Sequence, residues 1–227
     1  KIKYVNKNRL IRNHFMPTET DKWLLKQNGI FRVLPLGRLF GDNRWSYFHQ
    51  SIGGYSAIKM NRTEEIIKNC LYKNLDGTPG VNENILKILN VKFVISPGIL
   101  SHPQLIEEFR DPATNWIIYR YNNYLKRAYF PENYVQVNTP RDRLQTLNDL
   151  SYDPLKTVII EKEIDFQPKP LFDNKTEMIA FSPNLIKYEV KNDQDAVLVL
   201  SETPYLPGWK AKINNEQITS RGLNSKY

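Results

Sequence analysis

Apolar residues in this 227-residue chain come in short runs, and that shortness is what most restricts the fold. The densest run, AVLVL at Ala196 to Leu200, has the length of a strand, and none approaches the roughly 18–20 residues a membrane-spanning helix requires. Several are closed by breakers: "IFRVLPLG" by Pro35 and Gly37, "NVKFVISP" by Pro97. With 41% apolar residues the segment has enough material to bury a core, in one large domain or two small ones, and is expected to be soluble as it stands. Its ends, "KIKYVNKNRL" and "RGLNSKY", read as cuts from a longer chain.

Local signals place elements between the breakers. Thr18 as N-cap, Asp21 three residues on and Gly29 as terminator predict a short helix carrying Trp23, Leu24 and Leu25. A strand follows over "IFRVLP", then a long loop from Arg38 to Met60, rich in aromatics and glycine. Ile67, Cys70, Leu71 and Leu75 at helical spacing predict a helix ended by "DGTPG", and Cys70 falls on its apolar face as a packing residue. A short helix through Ile85 and Leu89 and a strand from Val91 to Ser96 complete a strand–helices–strand order, which implies a parallel pair with a crossover.

Further along, the pattern predicts a short helix after His102-Pro103, strands at Trp116 to Tyr121 and near "RAYFPENYVQV", and a helix opened by Thr139 and Pro140. "TVIIEKEI" reads as a strand, and "LIKYEV" alternates as a half-buried strand must. "WKAKI" alternates too, which puts Trp209 on an inward face with Ala211 and Ile213. The fold class expected is α+β: a mixed, partly parallel sheet with flanking helices, plus a C-terminal antiparallel, sandwich-like β unit. The chain divides into a basic segment at 1–16, an α/β body at 17–170 and the β unit at 171–227.

Charge is placed unevenly. The net charge of +8 lies entirely in residues 1–60, which hold 11 basic and 3 acidic residues, against 21 of each in the remainder. Lys1, Lys3, Lys7, Arg9 and Arg12 open the chain with no acid among them, a tail-like pattern suited to solvation or to anionic lipid headgroups rather than to nucleic acid.

Recognisable chemistry is scarce. His14, His49 and His102 form no metal-ligand spacing, and neither a nucleophile elbow nor a phosphate-binding loop occurs, so no catalytic residue, metal or cofactor is assigned. Glu64/Glu65, Glu107/Glu108 and Glu161/Glu163 read as helix starts and solvated faces. The candidate ligand contacts are in the long loop: Asn43, Arg44, Trp45, Tyr47, His49 and Tyr55, where aromatic faces alternate with amide and charged groups as in sugar sites. Packing of this loop on its own domain is the competing explanation.

Five segments, taken together and in order, resemble one family: "FMPTETDKWLL…FRVLPLG", "NRWSYFHQSIGGYSAIKMNRTEEII", "ILKILNVKFVIS", "LSYDPLKTVIIEK" and "SPNLIKYEV…LVLSETPYLPGWKAKINNEQ". Their order and spacing are similar to the large extracytoplasmic domain of YfhO-type bacterial membrane proteins, over about Phe15 to Gln217. Departures are Leu206 before Pro207 and Asn214-Asn215 in place of an Asp-Gly turn. The resemblance implies a non-catalytic domain on the extracytoplasmic (periplasmic or outer) side of the cell membrane, joined to the membrane portion of the same polypeptide. It also implies assistance to sugar transfer from a lipid-linked donor to a cell-envelope acceptor, with the catalytic carboxylates elsewhere, and closing strands beyond Tyr227. The whole protein would then be a possible membrane glycosyltransferase, with a glycan or lipid-linked sugar as partner. The alternative function is a stand-alone carbohydrate-binding module using the aromatic loop 43–55.

Overall fold

The computed structural model describes residues 6–37, 39–54, 61–75, 78–162, 164–166, 168–169, 173–202, 208–214 and 216–218. In chain order they form α1 (Lys7–His14), α2 (Glu19–Leu25), β1 (Arg32–Pro35), α3 (Arg44–Phe48) and α4 (Asn61–Ile66), which runs on as a π-helical turn over Ile67–Leu71. Next come β2 (Tyr72–Leu75), β3 (Thr78–Val81), α5 (Glu83–Ile88), β4 (Val91–Ser96), β5 (Leu105–Arg110) and β6 (Ile117–Tyr121). The rest is β7 (Ala128–Tyr129), β8 (Asn133–Gln136), α6 (Pro140–Asn148), β9 (Thr157–Ile160), β10 (Lys175–Ser182), β11 (Leu185–Lys191), β12 (Val199–Leu200), β13 (Ala211–Ile213) and β14 (Glu216–Ile218). Among the described residues no helix is long and apolar enough to cross a membrane.

The elements gather into two compact units, each discontinuous in sequence: Lys1–Ile58 with Leu89–Tyr124, and Lys59–Ile88 with Leu125–Tyr227. The sequence-level division at 16 and 170 follows composition, whereas these units follow spatial contact.

The first unit is built on a four-stranded sheet in the order β1-β4-β6-β5. β1 and β4 are parallel, as the strand–helices–strand order implied, with Leu34 opposite Val94. β6 runs antiparallel to both β4 and β5. β4 is buried at five of its six positions, as expected of an inner strand. Leu24, Val33, Trp45, Phe93, Ile95 and Ile118 make its core, ringed by Trp23, Phe31, Phe109 and Trp116. Phe93 is the hub, meeting Trp23 edge-on at 5.4 Å and Phe31 at 5.1 Å, while Trp45 meets Trp116 at 5.4 Å, the offset geometries that ring quadrupoles favour.

In the second unit α6 links β8 to β9, which pair in parallel. Thr139 caps α6 through the Asp142 N–H, and Pro140 occupies its first turn, as expected. Its buried centre is Tyr129, Val158 and Val199. Among the described residues the C-terminal strands pair antiparallel: β10 with β11, β12 with β7, and β13 with β14. The chain is thus α+β, with a mixed, partly parallel sheet and added antiparallel pairs. Cys70 is fully buried, in keeping with a packing role.

Several local expectations are corrected. The segment after His102-Pro103 is not a helix but strand β5, because its Ile106 and Phe109 find partners in Arg120 and Ile118 across the sheet. The helix begun at Asn61 ends at Leu71, and Leu75 lies in a hairpin that returns as β3. The long loop contains α3, the strand near "RAYFPENYVQV" is two strands, and the basic start is helical over Lys7–His14. Trp209 is 38% exposed and Ile213 59%, so "WKAKI" does not bury one face. A hairpin turn follows it, with Asn214 at φ 49, a left-handed conformation Asn tolerates.

Phe93 is 1% exposed, so Phe93→Ala is expected to lower the stability of the first unit by about 3–5 kcal/mol. Urea unfolding followed by tryptophan fluorescence measures it; a loss below about 1 kcal/mol would show that the ring is not the hub described.

Candidate functional site

The long loop is sewn onto its own unit. The Ile52 N–H donates to the Val33 carbonyl at 3.1 Å and the Val33 N–H to the Gln50 carbonyl at 2.9 Å, so Ser51 forms a parallel bridge with β1. The Gly54 N–H donates to the Leu39 carbonyl at 2.7 Å, closing the loop on itself. Gly53 and Gly54 make this approach possible: a Cβ on Gly53 would overlap Leu39, and Gly54 has φ +119 with the Ser46 hydroxyl where its Cβ would lie. The Ser46 hydroxyl donates to the Gly53 carbonyl at 3.1 Å.

At the centre of the loop's packing stands a residue the sequence marked only as a cap partner. Asp21 is fully buried in the first turn of α2, and its Oδ2 accepts from the Thr18 N–H at 2.7 Å and the Thr18 hydroxyl at 2.8 Å in a reciprocal capping box. The same carboxylate receives two groups from α3 and its C-terminal end. Arg44 grips it with both terminal guanidinium nitrogens, Nη1 lying 3.3 Å from Oδ1 and Nη2 against Oδ2. His49 Nε2 lies 3.0 Å from Oδ1. Burial pushes this carboxyl up, but the hydrogen bonds from His49, Arg44 and Thr18 outweigh it and hold the group well below the usual carboxylate range.

The six candidate contacts therefore divide. Arg44 and His49 are drawn inward to Asp21, with side chains 21% and 5% exposed. Trp45 is 7% exposed and lies in the core, the Arg44 guanidinium 5.0 Å from its ring centre. Asn43 caps α3, its carbonyl accepting from the Tyr47 N–H at 3.0 Å. Tyr47 is 57% exposed, its ring 4.4 Å from that of Phe15. Tyr55 lies outside the described residues.

A carboxylate beside an imidazole is the orienting half of many catalytic relays, but such a relay needs the second ring nitrogen to reach a substrate. His49 is enclosed by Trp45 and Phe48, with ring centres 6.3 and 6.1 Å away, so the arrangement works as a clamp between α2 and α3. A neighbouring clamp was equally silent in the sequence. Asp111, also fully buried, accepts from the Thr20 N–H at 3.1 Å and its hydroxyl at 2.9 Å, as well as from the Ala113 and Thr114 N–H groups.

The second unit has charged pairs of its own, two of them on buried arginines. Arg143, 6% exposed, joins Glu161 through Nη1 and Glu65 through Nη2 at 3.0 Å. Arg127 pairs with Glu202 and lies 4.9 Å from the centre of the Phe181 ring. Lys87 and Asp153 meet at 3.3 Å, while burial pushes the Tyr129 and Tyr152 hydroxyls up, Tyr152 further raised by Tyr129 and Asp153. Glu65, read as part of a helix start, and Glu161, read on a solvated face, are thus also partners of Arg143. Among the described residues no group of three or more His, Cys, Asp or Glu side chains is placed to hold a metal. No protein family, curated protein or solved structure matches the chain.

Asp21→Asn leaves Arg44, whose side chain is 21% exposed, without its counter-charge and is expected to cost about 1.5–3 kcal/mol at neutral pH. Because the folded-state carboxyl is depressed, its contribution is complete above the unfolded value of about 3.9 and is lost as the pH falls below it. The gap between the two proteins in urea midpoints should therefore narrow as the pH falls below about 4. A gap independent of pH would contradict the ionised clamp.

Proposed function

We propose that this chain is the non-catalytic extracytoplasmic domain of a multi-pass, YfhO-type membrane protein and assists sugar transfer from a lipid-linked donor to a cell-envelope acceptor. The observation that carries the reading is where the residues of the resemblance go. Asp21 of "FMPTETDKWLL" is bonded to Arg44 and His49 of "NRWSYFHQSIGG". β1 from "FRVLPLG" pairs with β4 from "NVKFVIS". Lys87 of "ILKILN" meets Asp153 of "LSYDPLK" at 3.3 Å. The segments that carry the resemblance are joined by contacts within each unit, as the parts of one fold would be. The polar groups most suggestive of chemistry are spent on those contacts, which favours a domain that positions or covers over one that turns over substrate.

Two measurements test it. Ile99 is 78% exposed and Cys70 fully buried, so Ile99→Cys in the full-length protein, in intact cells, should gain labelling by a membrane-impermeant maleimide. Labelling only after lysis would place the domain on the other side and defeat the reading. The isolated chain should also show no turnover of nucleotide-activated or polyprenyl-linked sugars.

A second reading, a free carbohydrate-binding module, is favoured by one observation: the exposed Tyr47 ring beside Phe15 offers an aromatic face. It predicts chemical-shift changes at Tyr47 with cell-envelope sugars, abolished by Tyr47→Ala. The accessory-domain reading expects no such binding by the isolated chain, so saturable shifts would replace it.

A further inference from the structure

We propose that α1 and the adjoining Phe15–Tyr47 face form a surface that docks on an anionic lipid bilayer. Asn6 fixes the start of the helix, its side-chain oxygen accepting from the Asn8 N–H at 3.0 Å and the Arg9 N–H at 3.2 Å. Lys7, Arg9 and Arg12 are exposed along it, while Ile11 is half-buried. The helix ends where the Phe15 N–H meets the Ile11 carbonyl at 2.8 Å, and there the character of the surface changes. Phe15 packs on Tyr47, and Met16, 60% exposed, and Tyr47, 57% exposed, present apolar surface beside the basic helix. Basic groups next to exposed aromatic and thioether groups are the two components of interfacial attachment: attraction to anionic headgroups and partition of apolar side chains at the acyl boundary.

In sequence the helix has only basic and uncharged neighbours. No acid precedes Glu19, which pairs with Lys22 at 2.6 Å, and Asp21 is fully buried and held by Arg44 and His49. A nucleic-acid duplex would satisfy the basic residues but leave Met16 and the Tyr47 edge in water, whereas a lipid surface accommodates both. The surface goes beyond the accessory-domain reading, since a chain with no membrane portion would bind the same vesicles through it.

The test is co-sedimentation of the 227-residue chain with phosphatidylcholine vesicles, with and without phosphatidylglycerol, at low and high salt. Binding is expected with phosphatidylglycerol at low salt and not with phosphatidylcholine alone. Arg9→Gln with Arg12→Gln should weaken it on the order of 25-fold, about fivefold per charge removed. Met16→Ser should weaken binding with its salt dependence intact. Both arginines are exposed, and circular dichroism checks that each variant keeps its fold; Lys7→Gln with Arg12→Gln supplies a second pair. The proposal is overturned by no binding to phosphatidylglycerol vesicles, by equal binding to neutral ones, or by wild-type binding of both arginine variants. Tighter binding to duplex DNA than to the anionic vesicles, lost in the same variants, would reassign the surface to nucleic acid.

Discussion

The Asp21 carboxylate has no exposed surface in the first unit and carries a full negative charge there. Removing such a group from water costs several kcal/mol, and only a complete set of donors offsets it. Thr18 supplies two, Arg44 two and His49 a ring nitrogen, drawn from the start of α2 and from α3 with its flank. The apolar residues on the same short helices depend on that arrangement. Trp23 and Leu24 enter the core from α2 and Trp45 from α3, so the carboxylate fixes the angle at which three core side chains arrive. Helices of seven and five residues have little stability of their own, and the clamp with the packing beneath it holds them in place.

What the sequence disclosed tracks how local each interaction is. The α2 capping box, the Thr139-Pro140 start of α6 and the inner strand β4 were legible because cap, turn and periodicity lie within a few residues. The parallel β1–β4 pair was legible because chain order and handedness leave few alternatives. β5 was missed because "LIEEFR" matches helical spacing about as well as alternation, and the choice is made by β6. The π turn and the hairpin after Leu71 were hidden in the same way, since Leu75 kept an apparent helical register.

The candidate site was legible as a segment but not as an arrangement. The loop's aromatics and polar groups were identified, yet which of them face outward depends on Asp21, more than twenty residues earlier. Arg44 and His49 looked available because their partner lies outside the loop; among the described residues Asn43 and Tyr47 keep the exposure expected of a contact residue. In the second unit Arg143 binds Glu65, 78 residues away, and Glu161, 18 away. No spacing rule connects such residues, so acids assigned to a helix start and a solvated face turned out to be partners of a buried arginine.

The interleaving of the two units bears on how the chain is made. β1 lies before residue 59, but its parallel partner β4 and the rest of its sheet come only after 88, so a ribosome must deliver the intervening stretch before the first sheet can close. That stretch, 59–88, waits in turn for residues after 124, among them Arg143, which draws Glu65 into place. Domains usually complete from the N-terminus as they emerge. Here β1 must stay unpaired with β4 while the second unit's first segment is synthesised, so the half-made chain passes through a stage in which neither unit is complete.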